Sequence, residues 1–126
     1  MPNPFVHIEL NSTDTAKAKE FYAGLFEWEM KDIPLPGSSP EAGEVYTTIA
    51  VGGGTGGGIM RQMMPNTPSF WLPYALVKDV RAATSKAASL GATVIKDVSE
   101  VPGMGWLSII KDPTGALLGL WQFTNP

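Results

Sequence analysis

The chain repeats itself. Asp14, Ala18 and Leu25 recur 65 residues later as Asp79, Ala83 and Leu90. In both places an Asp sits where a helix N-cap is wanted, followed by apolar positions spaced to share one helix face. The flanking segments follow one order twice: strand, helix, strand, strand, strand. A repeat of this length means paired modules and not a solenoid. Module one is expected at about residues 4–64 and module two at about 69–124, within a single domain over 1–126.

The first module reads as a strand over Phe5 to Leu10 and a helix over Thr15 to Phe26. Strands follow over Trp28 to Ile33, Glu44 to Val51 and Gly58 to Met63. Ala18, Phe21 and Leu25 are expected to form the buried helix face. Pro34-Leu35-Pro36-Gly37 and Pro65-Asn66-Thr67-Pro68 break the chain. The second module reads as a strand over Phe70 to Val77 and a helix from the Asp79 cap to Leu90, with Gly91 at the left-handed C′ position. Strands follow over Ala92 to Asp97, Trp106 to Lys111 and Ala116 to Phe123, the last two joined by the tight turn Asp112-Pro113-Thr114-Gly115.

Val51 to Met60 contains six glycines, and Gly52, Gly54 and Gly57 fit G-x-G-x-x-G. A dinucleotide site needs a helix directly after such a run, because the helix N-terminus receives the phosphate. Here Ile59 to Met64 follows and Pro65 stops it, which leaves no room for a useful helix. The run is expected to be a hairpin between two strands. Pro102-Gly103-Met104-Gly105 also leads into a strand and reads as a loop.

Composition excludes several classes. The net charge is −3 and no cluster of Lys or Arg appears, so a nucleic-acid partner is not expected. There is no cysteine, hence no disulfide and no thiolate chemistry. Met1-Pro2-Asn3-Pro4 lacks the pattern of a secretory leader, and no apolar run approaches the ~20 residues that span a bilayer. A cytoplasmic protein without a membrane partner is expected.

The order of elements, together with particular motifs, resembles the vicinal oxygen chelate superfamily, which includes glyoxalase I, bleomycin-resistance proteins and extradiol dioxygenases. The motifs are Phe5-Val6-His7-Ile8-Glu9-Leu10, Phe21-Tyr22, Trp71-Leu72-Pro73-Tyr74, Ala75-Leu76-Val77-Lys78-Asp79-Val80 and the run from Asp112 to Leu120, ending in Leu120-Trp121-Gln122. The resemblance implies an α+β fold. Two βαβββ modules would form a curved, mostly antiparallel sheet around a cleft, with helices outside. It also implies a homodimer. In metal-dependent members each module supplies ligands from its first and last strands, and a divalent ion holds two vicinal oxygens of the substrate. Carried over by position, the first-strand His is His7. Its counterpart in module two falls on Leu72, the Glu after the D-P-x-G turn falls on Gly119, and the remaining ligand falls between Gly58 and Met60. Leu72 and Gly119 cannot ligate, and Met60 suits a hard divalent ion poorly. A metal site needs about three protein ligands. No cofactor is therefore expected, and a nickel, zinc, manganese or iron ion is the alternative, with His7 as its ligand.

His7 and Glu9 lie two apart on a strand and point to one face. A carboxylate beside an imidazole raises the imidazole's pKa, so the pair is a candidate acid and base. The other readings are hydrogen bonding to a ligand and a half-buried histidine satisfied by its neighbours. Met60, Leu72, Tyr74, Trp106, Gly119 and Trp121 are the candidate lining of a small-molecule cavity, with Met63, Met64 and Met104 as adaptable apolar surface. Two functions are thus expected in competition. One is binding of a small, partly apolar or aromatic molecule by a protein with a degenerate metal site. The other is a glyoxalase- or dioxygenase-like enzyme using His7 and Glu9. Ser108 lacks a nucleophile elbow, and Asp112 is expected to serve its turn.

Overall fold

The computed structural model describes residues 2–34 and 45–124. The expected turn at Leu35-Pro36-Gly37 and the expected strand start at Glu44 lie outside them. The chain divides into two compact units, one of His7–Leu72 and the other of Met1–Val6 with Pro73–Pro126.

The first unit is built on β1 (Phe5–Ser12), α1 (Thr15–Leu25), β2 (Glu29–Pro34), β3 (Val45–Ala50) and β4 (Gly57–Arg61). Its strands lie in the order β2-β3-β4-β1. The β4–β1 pair is parallel and the other two pairs are antiparallel. Asp14 caps α1 by accepting from Lys17 N–H at 3.0 Å. Leu10, Ile49 and Ile59 form the core, with Ala18, Tyr22, Trp28, Met30 and Val51 packed on it. This corrects the expected helix face. Ala18 and Tyr22, four apart, turn inward, because the rings of Trp28 and Trp71 hold Tyr22 at centroid distances of 5.7 and 5.4 Å. Phe21 and Leu25 point outward, 60% and 56% exposed.

The glycine run is a hairpin. Gly52, Gly53 and Gly54 have φ of 93°, 132° and 79°, the left-handed region that a side chain resists. They turn β3 back into β4, and no helix follows.

The second unit holds β5 (Phe70–Leu76), α2 (Val80–Ser89), β6 (Thr93–Val101), β7 (Gly105–Lys111) and β8 (Leu117–Phe123), in the strand order β5-β8-β7-β6. The β5–β8 pair is parallel. Asp79 caps α2 through Ala82 N–H at 3.1 Å, and Gly91 closes the helix at φ 106°. Val80, Ile110 and Leu120 form this core. Strand β6 continues past the expected end at Asp97. Two irregularities in its pairing with β7, before and after Lys96, let a polar stretch without clean alternation stay in the ladder. The elements bear out the α+β class, strand-helix-strand-strand-strand in each half. Among the described residues no helix is long and apolar enough to cross a membrane.

Candidate functional site

Strand β1 alternates between two environments. Leu10 enters the core beneath α1, so His7, Glu9 and Asn11 project from the opposite face of the first unit's sheet. There a third residue joins them. The Tyr46 hydroxyl donates to Glu9 Oε2 at 2.9 Å and stands 2.5 Å from His7 Nε2. A tyrosine has one proton to give. With it donated to Glu9, the tyrosine oxygen accepts from an Nε2–H of His7. Asn11 adds a longer contact, donating to Glu9 Oε1 at 3.4 Å. Glu9 is 7% exposed and Asn11 is buried, while His7 and Tyr46 are half-buried, so the cluster is anchored in the interior and open on its His7 and Tyr46 side.

Tyr46 reaches Glu9 because Gly58 is a glycine. Gly58 lies between Thr48 of β3 and Glu9 of β1 in the ladder, and a Cβ there would overlap the Tyr46 ring and hydroxyl. The tyrosine thus crosses β4 over a position without a side chain.

The expected upward shift of the His7 pKa is reversed. Burial holds the imidazole below its ordinary 6.5, because withdrawal from water disfavours the cation. The carboxylate that was to raise it is already engaged by the Tyr46 hydroxyl.

The second unit repeats the arrangement. Tyr74 pairs with Gly119 across β5 and β8, as Glu9 pairs with Gly58 across β1 and β4. A Cβ on Gly119 would overlap the Tyr74 ring. Tyr74 is buried at 3% exposure. The last-strand position in each module is therefore a glycine roofed by a tyrosine, one from β3 and one from β5.

Of the other candidates, Met60 is half-buried opposite Asn11 and Leu72 is buried, both in the first unit. Trp121 lies on the Gly119 face of β8, its ring over Gly105. Trp106 does not join them. It is opposite Gln122 on the α2 side, with the Arg81 guanidinium 5.8 Å from its ring; strand parity separates it from the odd-numbered face of Gly119 and Trp121. Met63 and Met104 are surface residues. Ser108 is fully buried and bonded to the Thr84 hydroxyl at 2.8 Å, a structural role. Asp112 holds its turn by accepting from Thr114 and Ala116, and those bonds hold its carboxyl below the usual range.

Residues 5–120 match the Glyoxalase/Bleomycin resistance protein/Dioxygenase superfamily. The chain belongs to this superfamily. A Mycobacterium tuberculosis protein named as a glyoxylase, CFP32, is 36% identical over 119 residues, covering 91% of this chain and 44% of that one. The anthracycline biosynthesis protein DauV of a Streptomyces species is 27% identical over 128 residues, covering 90% of this chain and 45% of that one. The chain thus spans less than half the length of these relatives. In fold, it is similar to the methylmalonyl-CoA epimerase of Mycobacterium tuberculosis, with a TM-score of 0.67 and 16% identity over 95% of this chain and 87% of that one.

Metal-dependent members of the superfamily imply a divalent ion, and the residues at the positions carried over from them do not fit one. Leu72, Gly119 and the stretch Gly58 to Met60 stand at three of the four positions that the resemblance implies; Leu72 and Gly119 carry no donor side chain, and Met60 offers only a thioether, poorly suited to a hard ion. The fourth, His7, has Nε2 against the Tyr46 hydroxyl. Among the described residues no group of three or more His, Cys, Asp or Glu side chains is arranged to hold an ion.

Proposed function

We propose that this glyoxalase-superfamily chain binds a small, partly aromatic molecule on the face that carries His7, Tyr46 and Glu9, without a chelated metal. One observation carries the reading: on the first unit's face the half-buried Tyr46 ring covers the last-strand position Gly58, where a ligating carboxylate would project. Aromatic walls with a few fixed polar groups suit an apolar ligand that bears a hydroxyl or carbonyl. The name of the DauV relative agrees with this class, since an anthracycline is a planar polycyclic aromatic with oxygen substituents. The test is metal content by mass spectrometry after incubation with nickel, zinc, manganese or iron(II), with Tm followed in parallel. The expected result is no stoichiometric ion and no change in Tm. One ion per chain, lost in His7→Ala, overturns the reading.

The hydrogen-bonded chain Glu9–Tyr46–His7 supports a second reading, proton transfer. A neutral imidazole held by Tyr46 is a general base in the right charge state at pH 7. Deuterium incorporation from heavy water, measured on a panel of hydroxyketones, tests it. Exchange that disappears in His7→Ala while binding persists favours catalysis; absence of exchange from every probe with the intact protein removes it.

We also propose, from the superfamily resemblance, that the chain pairs with a second copy. The outward Phe21, Leu25 and Phe26 of the α1 region support this, being apolar and 60%, 56% and 45% exposed.

A further inference from the structure

The geometry points to a second binding site, on the α1 side of the first unit's sheet, for a neutral planar aromatic ring system. It stands independently of the face that carries His7, Tyr46 and Glu9. A cavity of about 220 Å³ opens there, lined by Ile8, Trp28, Ile49, Val51, Trp71 and the segment Thr55 to Gly57. All of these residues belong to the first unit. Ile8 alternates with His7 and Glu9 along β1, which puts the cavity on the opposite face from them.

Size fixes the guest first. An apolar cavity of about 150 Å³ already takes up benzene, so this one has room for two fused rings. Charge comes next. Among the described residues no ionisable side chain is in the lining, and a charged guest would lose its hydration with nothing from these residues to replace it. Shape follows from the two indoles. Trp28 and Trp71 meet at 81° with centroids 6.3 Å apart, so they form a corner. A flat ring stacked on one meets the other edge to face, the two arrangements that aromatic pairs favour. An aliphatic guest fills volume but gains neither. Gly56 and Gly57 complete the box with bare backbone.

The corner is held open by its neighbours. Phe26 lies 4.6 Å from Trp28 at a tilt, and Tyr22 contacts both indoles. Neither tryptophan is free to collapse into the space without breaking this cluster. The glycine hairpin joins Val51 to Thr55, both in the lining. Gly52, Gly53 and Gly54 are exposed, with nothing within 4 Å of where a Cβ would be. The run that resembles a phosphate loop thus frames an apolar opening.

The test uses the four tryptophans of the full chain. Their indole N–H signals are assigned by single Trp→Phe variants and followed by NMR during titration with 2-naphthol. Saturable shifts confined to Trp28 and Trp71 are expected, with Trp106 and Trp121 unmoved. Val51→Trp, which fills the cavity, should weaken binding roughly tenfold or more, and Trp71→Ala, a partly exposed wall residue, should do the same if the first variant folds poorly. Cyclohexanol and 2-naphthoate should each bind about tenfold more weakly than 2-naphthol. Tyr46→Phe should leave the affinity within about twofold, because Tyr46 is on the other face. The inference is overturned by any of three results: no saturable shift, shifts at Trp106 and Trp121 instead, or equal affinity for the naphthoate anion. Loss of the shifts in Tyr46→Phe also overturns it, by placing the probe on the His7 face.

Discussion

The Tyr46 hydroxyl contacts two titratable side chains, the buried Glu9 and the half-buried His7, and Tyr46→Phe removes it while keeping the ring over Gly58. The variant should lose about 1–3 kcal/mol in urea unfolding, the usual range for a hydrogen bond to a charged group. His7 sets a pH dependence of its own. Its folded pKa is below 6.5, so the unfolded chain takes up a proton that the native fold resists. Its contribution is fully present above about pH 6.5 and is lost as pH falls from there through the folded value. His7→Gln should flatten the dependence of the urea midpoint on pH just below 6.5. Asp32 and Asp112 have lowered pKa values from 3.8 and act in a separate, more acidic window. At this scale the sequence was half legible. Period-two alternation placed His7 and Glu9 on one face from the stretch Phe5 to Leu10 alone. Tyr46 was not found, because its approach depends on pairing β3 with β4 and β4 with β1, contacts far apart along the chain. The available signal was a glycine within a strand, which marks close passage of another group.

Among the elements, the helix caps were the most legible parts, since Asp14 and Asp79 act within three residues of themselves. The inward face of α1 was not, because Tyr22 and Phe21 are both aromatic and only the tertiary partners of Tyr22 decide between them. Trp106 was misplaced for a similar reason: its parity on β7 relative to Tyr74 depends on the β7–β8 register. Glycines here give predictions of opposite sign. Gly24 lies inside α1 with open space around it, so Gly24→Ala should stabilise by about 0.5 kcal/mol through lower unfolded-state entropy. Gly54 has φ 79°, so Gly54→Ala should cost about 1 kcal/mol. Gly119→Ala should cost more, about 1–3 kcal/mol, by forcing the Tyr74 ring aside. Thermal unfolding of the three variants checks the order, and a stabilising Gly119→Ala would contradict the packing of Tyr74.

For the molecule as a whole, the duplication was the legible part. Each unit has the same connectivity and the same parallel contact between its first and last strands. The unit boundary was not legible: it falls at Val6/His7 and Leu72/Pro73, inside β1 and β5, and not at the Pro65–Pro68 turn. Strand pairing, and not chain punctuation, decides which residues cluster. Assembly can be tested at this scale. Sedimentation should show a dimer at micromolar concentration, and the double variant Phe21→Ser with Leu25→Ser should shift it to monomer while leaving the Tm within a few degrees, since neither side chain is in the core. A monomer from the intact chain would refute the pairing.

The glycine–tyrosine pairs act as a ratchet in sequence space. A carboxylate introduced at Gly119 alone meets the Tyr74 ring, and a small residue introduced at Tyr74 alone leaves a void beside a bare backbone. Either step by itself lowers stability, and the same holds for Gly58 with Tyr46. Random single changes therefore do not carry this chain toward a chelating centre. A designer who wants a metal there must change both members of a pair at once, and the simplest trial is Gly119→Glu together with Tyr74→Ala.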